Sequence, residues 1–294
     1  MHVSNTISSE LLTHLFKMVA DGAIVEDDVK AFVQNPQRWR ENHSFIPVET
    51  AHTFWQGVWD ELLGKGKVQV PLINRVTKNQ RKALARYGFL LVYLPRIIED
   101  EYPACFVKLD WSRVHVDWEL KRYMERLDAL QRNMGKWVAI ETLRKPNMAE
   151  NGHAGDRLME SLGISSRFSF GSEEYWIRLH QHEAHEEEYQ VKSGLLEQAS
   201  GMLGFPDHLV RCPDALEWNM LGNLFNWLHE HRSMKHLPDL GSTDTWEMVG
   251  TPNSYSKEFF HAGGSKSGGL AGLARGKWWN KHGHDVAFRI LIDL

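Results

Sequence analysis

The 294-residue chain has little sulfur chemistry to offer, since its two cysteines, Cys105 and Cys212, lie far apart and form no CxxC pair. Such spacing supplies neither a disulfide framework nor a zinc site. Long apolar runs are missing too, and none reaches the ~20 residues that a membrane helix needs. Met1 to Ala20 interleaves Glu10, His14 and Lys17 with its apolar residues, so it has no signal-peptide core. No block of like charge stands out and the formal net charge is −4, which leaves no concentrated basic face for nucleic acid. Repeats and low-complexity tracts are absent. These absences lead us to expect a cytoplasmic protein with no nucleic-acid or membrane partner, although a phage particle or an exported protein would have the same character.

What is present is the composition of a folded chain, 42% hydrophobic and 24% charged. Twelve tryptophans are many for this length. The residue combines a large apolar area with one polar handle, so it serves cores and recognition surfaces alike, and roughly two thirds are expected in the core.

Periodicity places the elements. Leu11, Leu12, Leu15, Phe16 and Val19 follow Ser8-Ser9-Glu10 at helical spacing and stop at Gly22. A second short helix starts near Glu26, carries Val29, Phe32 and Val33, and ends before Pro36. Gly88 to Leu94, closed by Pro95, reads as a buried strand, with Cys105 to Leu109 as its expected partner. Val116, Leu120, Tyr123, Met124, Leu127 and Leu130 predict an amphipathic helix ending at Gly135. From Lys136 to Leu143 the pattern alternates like a half-buried strand, and Lys145 to Gly155 is loop-like. The change of texture places a boundary near Asn133, dividing the chain into an N-terminal helix-rich domain, 1–133, of unassigned role and a second domain, 134–294.

The second part holds four fragments. In Arg211-Cys212-Pro213-Asp214-Ala215-Leu216-Glu217-Trp218, Asp214 and Glu217 form a capping box that opens a helix with Leu216, Leu221, Leu224, Phe225 and Leu228 on one face. Alone it is a well-capped core helix. Gly241 to Glu247 follows, then Gly263-Gly264-Ser265 with Arg275, then Val286 to Leu291.

In that order the fragments resemble formylglycine-generating enzymes and their sulfatase-modifying relatives. Arg211, Pro213, Glu217 and Trp218 match that family's R-L-P-T-E-A-E-W, and Trp246 and Glu247 match its W-E-W turn. Gly263, Gly264 and Ser265 match G-G-S-W, and Phe288 and Arg289 match the closing G-F-R. The sequence departs from the pattern at Met248, Lys266 and Ala287. The resemblance covers about residues 135–294 and implies an α+β protein: a C-terminal C-type-lectin-like domain of the formylglycine-generating-enzyme type, preceded by a smaller helix-rich α/β N-terminal domain. Its last strand would pair with an early one. Arg211, Glu217, Trp218, Trp246, Glu247, Gly263, Gly264, Phe288 and Arg289 would be scaffold. In a strand Arg289 faces away from Phe288 and Ile290, and inside a polar network it would need a carboxylate partner, for which Glu217 and Glu247 are candidates.

The oxygen-dependent members of that family bind copper through two cysteines after the G-G-S motif, and those positions are Gly268 and Leu273 here. Without thiolates the copper chemistry is not available. The chain is therefore expected to be non-catalytic and without a cofactor, a structural calcium ion held by loop oxygens being left open. A sister branch uses an H-x3-H-x-E iron motif, whereas the histidines of the run His180 to Glu188 are spaced by two and three. His182 shares a helix face with His185 and Glu186, but a solvated helix face is the simpler reading of such a run. The alternative function is a metal-dependent oxidase-like enzyme of the same superfamily, using the histidines of 180–185.

The lectin-like fold without those cysteines resembles the variable proteins of diversity-generating retroelements, which bind a ligand with varied side chains on a fixed backbone. That resemblance implies a binding surface for a protein or glycan near the C-terminus. Tyr255, Phe260, Lys266, Lys277, Trp278, Trp279, Asn280, His282 and His284 are its candidate residues, with Phe259 beside them. Trp278 and Trp279 are adjacent, so an extended segment cannot turn both inward. His282, Gly283, His284 and Asp285 read as a polar turn rather than a metal cage. Oligomeric state and ligand identity are left undecided.

Overall fold

A computed structural model of the chain describes residues 48–73, 76–113, 135–143, 157–162, 195–232, 234, 237–243, 246–253, 258–277 and 286–294. The helices expected before residue 48 and at 116–130, and the histidine run at 180–188, lie outside these residues.

The described residues form an α+β arrangement of two four-stranded, largely antiparallel sheets. The elements are α1 (Val48–Leu63), α2 (Lys78–Arg86), β1 (Phe89–Leu94), β2 (Lys136–Glu141), α3 (Arg157–Ser161), α4 (Leu195–Leu203), β3 (Val210–Arg211) and α5 (Ala215–His231). They continue with β4 (Trp246–Asn253), β5 (Glu258–Gly263), β6 (Leu273–Lys277), β7 (Val286–Phe288) and β8 (Leu291–Asp293). One sheet has the order β1-β2-β8-β3 and the other β6-β5-β4-β7, in which only the β4–β7 pair is parallel. No described helix is long and apolar enough to cross a membrane.

The continuous apolar run of β1 is explained by cover on both faces. Leu90, Val92 and Leu94 pack with Trp55 and Trp59 of α1 and with the apolar residues of α5. Phe89 and Leu91 turn the other way, towards Leu84 of α2 and Leu195, Ala199 and Leu203 of α4. The open edge of β1 is also closed. Trp55 Nε1 donates to the Leu91 carbonyl at 2.7 Å, and Trp59 Nε1 donates to the Tyr93 carbonyl at 3.0 Å. Four residues of helix rise about 6 Å and two of strand about 6.6 Å, so the two indoles fall in register with two outward carbonyls. With two of its carbonyls taken, the edge is blunted against pairing with another chain.

Two expectations are corrected. Cys105–Leu109 is not a strand, and the partner of β1 is β2, paired from Phe89↔Glu141 to Leu94↔Lys136. The backbone of 105–109 is committed elsewhere: Val107 bonds side chains of α5, and the Leu109 N–H donates to Glu99 Oε1 at 3.2 Å. The sheet β1-β2-β8-β3 thus draws strands from both sides of residue 133. The second correction is at the C-terminus, where Val286–Leu291 is not one strand. The chain leaves the second sheet after β7, passes through Arg289 and Ile290, and enters the first sheet as β8. Glu141 holds that crossing, its N–H donating to the Ile290 carbonyl at 3.1 Å and its carboxylate accepting the Ile290 N–H at 3.2 Å. The last strand does pair with an early one, β8 lying antiparallel to β2 with Ala139↔Ile292.

Candidate functional site

Helix α5 begins at the capping box expected from sequence: Asp214 Oδ1 accepts the Glu217 N–H at 2.8 Å, and Glu217 Oε2 accepts the Asp214 N–H at 2.9 Å. It does not have one apolar face, however. Every residue from Ala215 to Phe225 is buried, including Asn219 and Asn223. The reason is that β4, β5, the 105–109 segment and the G-G-S turn all pack around it.

That turn, residues 263–272, is fixed from several directions. Gly263 and Gly264 take φ of 98° and 76°, a region that β-carbons oppose. At Gly264 a Cβ would lie 2.8 Å from Cε2 of Trp246, so the indole closes directly over the backbone. Gly241 admits the turn from another side, because a Cβ there would lie 2.7 Å from the Gly269 carbonyl carbon. Gly222 of α5 leaves the notch that Leu270 fills. The Ser265 N–H donates to the Thr243 carbonyl at 2.8 Å, and the Gly263 N–H to the Gly272 carbonyl at 3.0 Å. On this held backbone Ser265, Lys266 and Gly268 stand exposed while Leu270 and Gly272 are buried. Gly268, one of the two positions that would need a thiolate for copper, has φ of 111°, and Leu273, the other, is buried in the core.

Two arginine–carboxylate centres brace the region. Arg289 is fully buried, and it donates from Nε and Nη2 to the Glu247 carboxylate at 2.9 and 2.7 Å. Its Nη1 donates to the carbonyls of Glu141 and Leu143 at 2.6 and 2.8 Å. Trp218 Nε1 donates to the same Glu247 at 3.0 Å. Of the two partners expected for Arg289, Glu247 is the one it takes. Three scaffold positions, Trp218, Glu247 and Arg289, therefore meet around β4, α5 and the β7–β8 crossing.

Glu217 belongs to the second centre. Arg211 holds Glu217 with two bonds of 2.7 Å and Asp293 with bonds of 2.8 and 2.9 Å. Lys136 Nζ adds contacts to Glu217 and Asp293 at 2.9 and 2.7 Å. Burial pushes the Glu217 carboxyl up, but the Arg211 guanidinium and the Lys136 ammonium outweigh it and hold it down at about 2. Asp214 goes the other way, raised to about 7 by burial and by the neighbouring Glu217 charge. A third titratable group is the half-buried His261 of β5, whose ring meets Trp246 edge-on at 4.7 Å. Burial lowers it to about 4, so its imidazole stays neutral near pH 7.

Among the candidate binding residues, Lys266 is exposed on the turn, Phe260 is half-buried and packs against the core, and Lys277 closes β6. Tyr255, Trp278, Trp279, Asn280, His282 and His284 lie outside the described residues, and Phe259 is placed in β5 by its backbone alone. Among the described residues no group of three or more His, Cys, Asp or Glu is arranged to hold a metal ion. Sequence reasoning missed Asn219, Gly222, Asn223, Gly241, Lys136 and Asp293. The legible signal was Asn219 and Asn223, four apart and each flanked by apolar residues in α5, since buried amides of this kind are held by hydrogen-bond partners. Compared with protein-family models, with curated proteins and with solved structures, the chain matches none.

Proposed function

We propose that this chain is a non-catalytic binding protein with a C-terminal C-type-lectin-like domain. In this reading it is the variable protein of a diversity-generating retroelement, and its ligand is a protein or a glycan. One observation carries the reading: a turn whose backbone is locked by glycine contacts and hydrogen bonds, and whose crest carries exposed side chains. A rigid backbone with outward side chains separates fold from specificity, because an outward residue can change without strain in the support. The meeting of Trp218, Glu247 and Arg289, and the pairing of the last strand with β2, support the same fold assignment.

The test is to screen the full chain, and its Lys266→Ala variant, against protein and glycan arrays. We expect a ligand whose binding the substitution weakens, while stability changes by no more than about 0.5 kcal/mol, as for an exposed residue. Elemental analysis of protein purified without added metal tells the enzyme alternative apart. Stoichiometric copper or iron would overturn the binding reading and direct attention to His180, His182 and His185. For the retroelement part, a gene with no near-copy of its 3′ end beside a reverse transcriptase gene would count against it.

A further inference from the structure

Asn219 reaches two chain segments far apart in sequence with one amide group. Its Nδ2 donates to the Val107 carbonyl at 3.0 Å and to the Leu270 carbonyl at 2.9 Å. Asn223, one helical turn on, serves only the first of these, accepting the Val107 N–H at 2.6 Å and donating to the Val107 carbonyl at 2.9 Å. The two segments also touch directly, the Asp110 N–H donating to the Ala271 carbonyl at 2.9 Å. Within the upstream loop Glu99 staples the backbone, accepting from the Leu109 N–H and from Trp111 Nε1 at 3.2 and 3.3 Å. The loop is thus hydrogen-bonded beside the G-G-S turn, with Cys105, Val107 and Lys108 exposed and Phe106 buried.

We infer that Asn219 is a positioning residue that joins the 105–110 loop and the 263–272 turn into one unit, making the recognition surface a composite of both. The functional meaning rests on the binding reading above, while the coupling does not. Removing this buried amide strips the Leu270 carbonyl of its side-chain donor and leaves the Val107 carbonyl to Asn223 alone, so both segments lose part of their seat at once. The N-terminal half of the chain would then contribute specificity through Val107 and Lys108, and substitutions there would alter ligand choice without touching the turn.

The experiment is residue-resolved amide hydrogen exchange on the full chain across low denaturant. In the unmodified protein we expect the amides of Val107, Asp110, Ser265 and Gly269 to share one opening transition. In Asn219→Ala both segments should lose protection together, by about tenfold or more, with β1 and β2 unchanged. In Asn223→Ala the 105–110 loop should loosen while 263–272 keeps its protection. Separate openings in the unmodified protein would overturn the coupling. So would loosening of a single segment in Asn219→Ala, or an equal loss across the whole core, which would mark Asn219 as an ordinary core residue. None of these readings needs a ligand, so failure of the array screen and failure of the coupling are told apart.

Discussion

Arg289 and Arg211 are each gripped by two oxygens of one glutamate, yet the side chain of Arg289 is 0% exposed and that of Arg211 is 29% exposed. Arg289 has no water to fall back on. Its charge is balanced by Glu247, and its remaining donors go to backbone carbonyls at the point where the chain changes sheets. Arg211 sits in a cluster with a second cation, Lys136, and a second carboxylate, Asp293, near solvent. The same pair chemistry thus does two jobs. The dry centre fixes the path of the terminal chain between sheets, and the wet one ties the last strand to the start of α5.

The difference has measurable consequences, the largest at Arg289. Arg289→Met should lower unfolding stability by about 3–5 kcal/mol in urea denaturation, because it strands the Glu247 carboxylate in a dry site. Adding Glu247→Met should recover part of that loss, since removing both charges leaves no unpaired ion. A single-variant cost below about 1 kcal/mol would mean that water reaches the centre, and the contrast would collapse. Arg211→Met should cost less, about 1–3 kcal/mol, because the Lys136 ammonium and the Asp214 N–H remain bonded to Glu217. Equal costs at the two arginines would break the comparison.

The smallest effect is a pH dependence at the start of α5, beside the wet centre. Asp214 is raised from its ordinary value near 3.8 to about 7, so the fold favours its protonated form. Its ionisation therefore costs stability as pH rises from about 4 to 7, and acidification over that window relieves the cost. Glu217 has the opposite sign, as its contribution is present above about 4.5 and is lost as pH falls towards 2. Asp214→Asn keeps a good N-cap without the charge. Relative to the parent it should gain stability at pH 8, on the order of 1 kcal/mol, and lose that advantage by pH 4. A variant–parent difference that is flat with pH would refute the raised Asp214.

Local sequence patterns make a good part of this legible. Asp214 and Glu217 stand three apart before an apolar run, and a capping box needs nothing beyond its own helix end. Gly88 to Leu94 announced a buried strand through six apolar residues in a row. The partner of that strand was not legible, because Cys105–Leu109 has strand-like composition and its capture by Asn219 and Asn223 depends on a helix more than a hundred residues later. The pairing of Arg289 with Glu247 rather than Glu217 was equally hidden. Both glutamates flank tryptophans in the right order, and only the packing of β4 against β7 brings one of them to the arginine.

The sequence by itself determined the cap of α5, the buried strand, the need of Arg289 for a carboxylate and the glycine character of the 263–272 turn. Each follows from the conformational or solvation demands of a few neighbouring residues. The tertiary structure alone decided which backbone the buried asparagines hold, which edge of β1 the two α1 indoles seal, and that the terminal run divides between two sheets. Those outcomes depend on groups distant in the chain competing for the same donors and acceptors, and only the packed arrangement says which of them arrive.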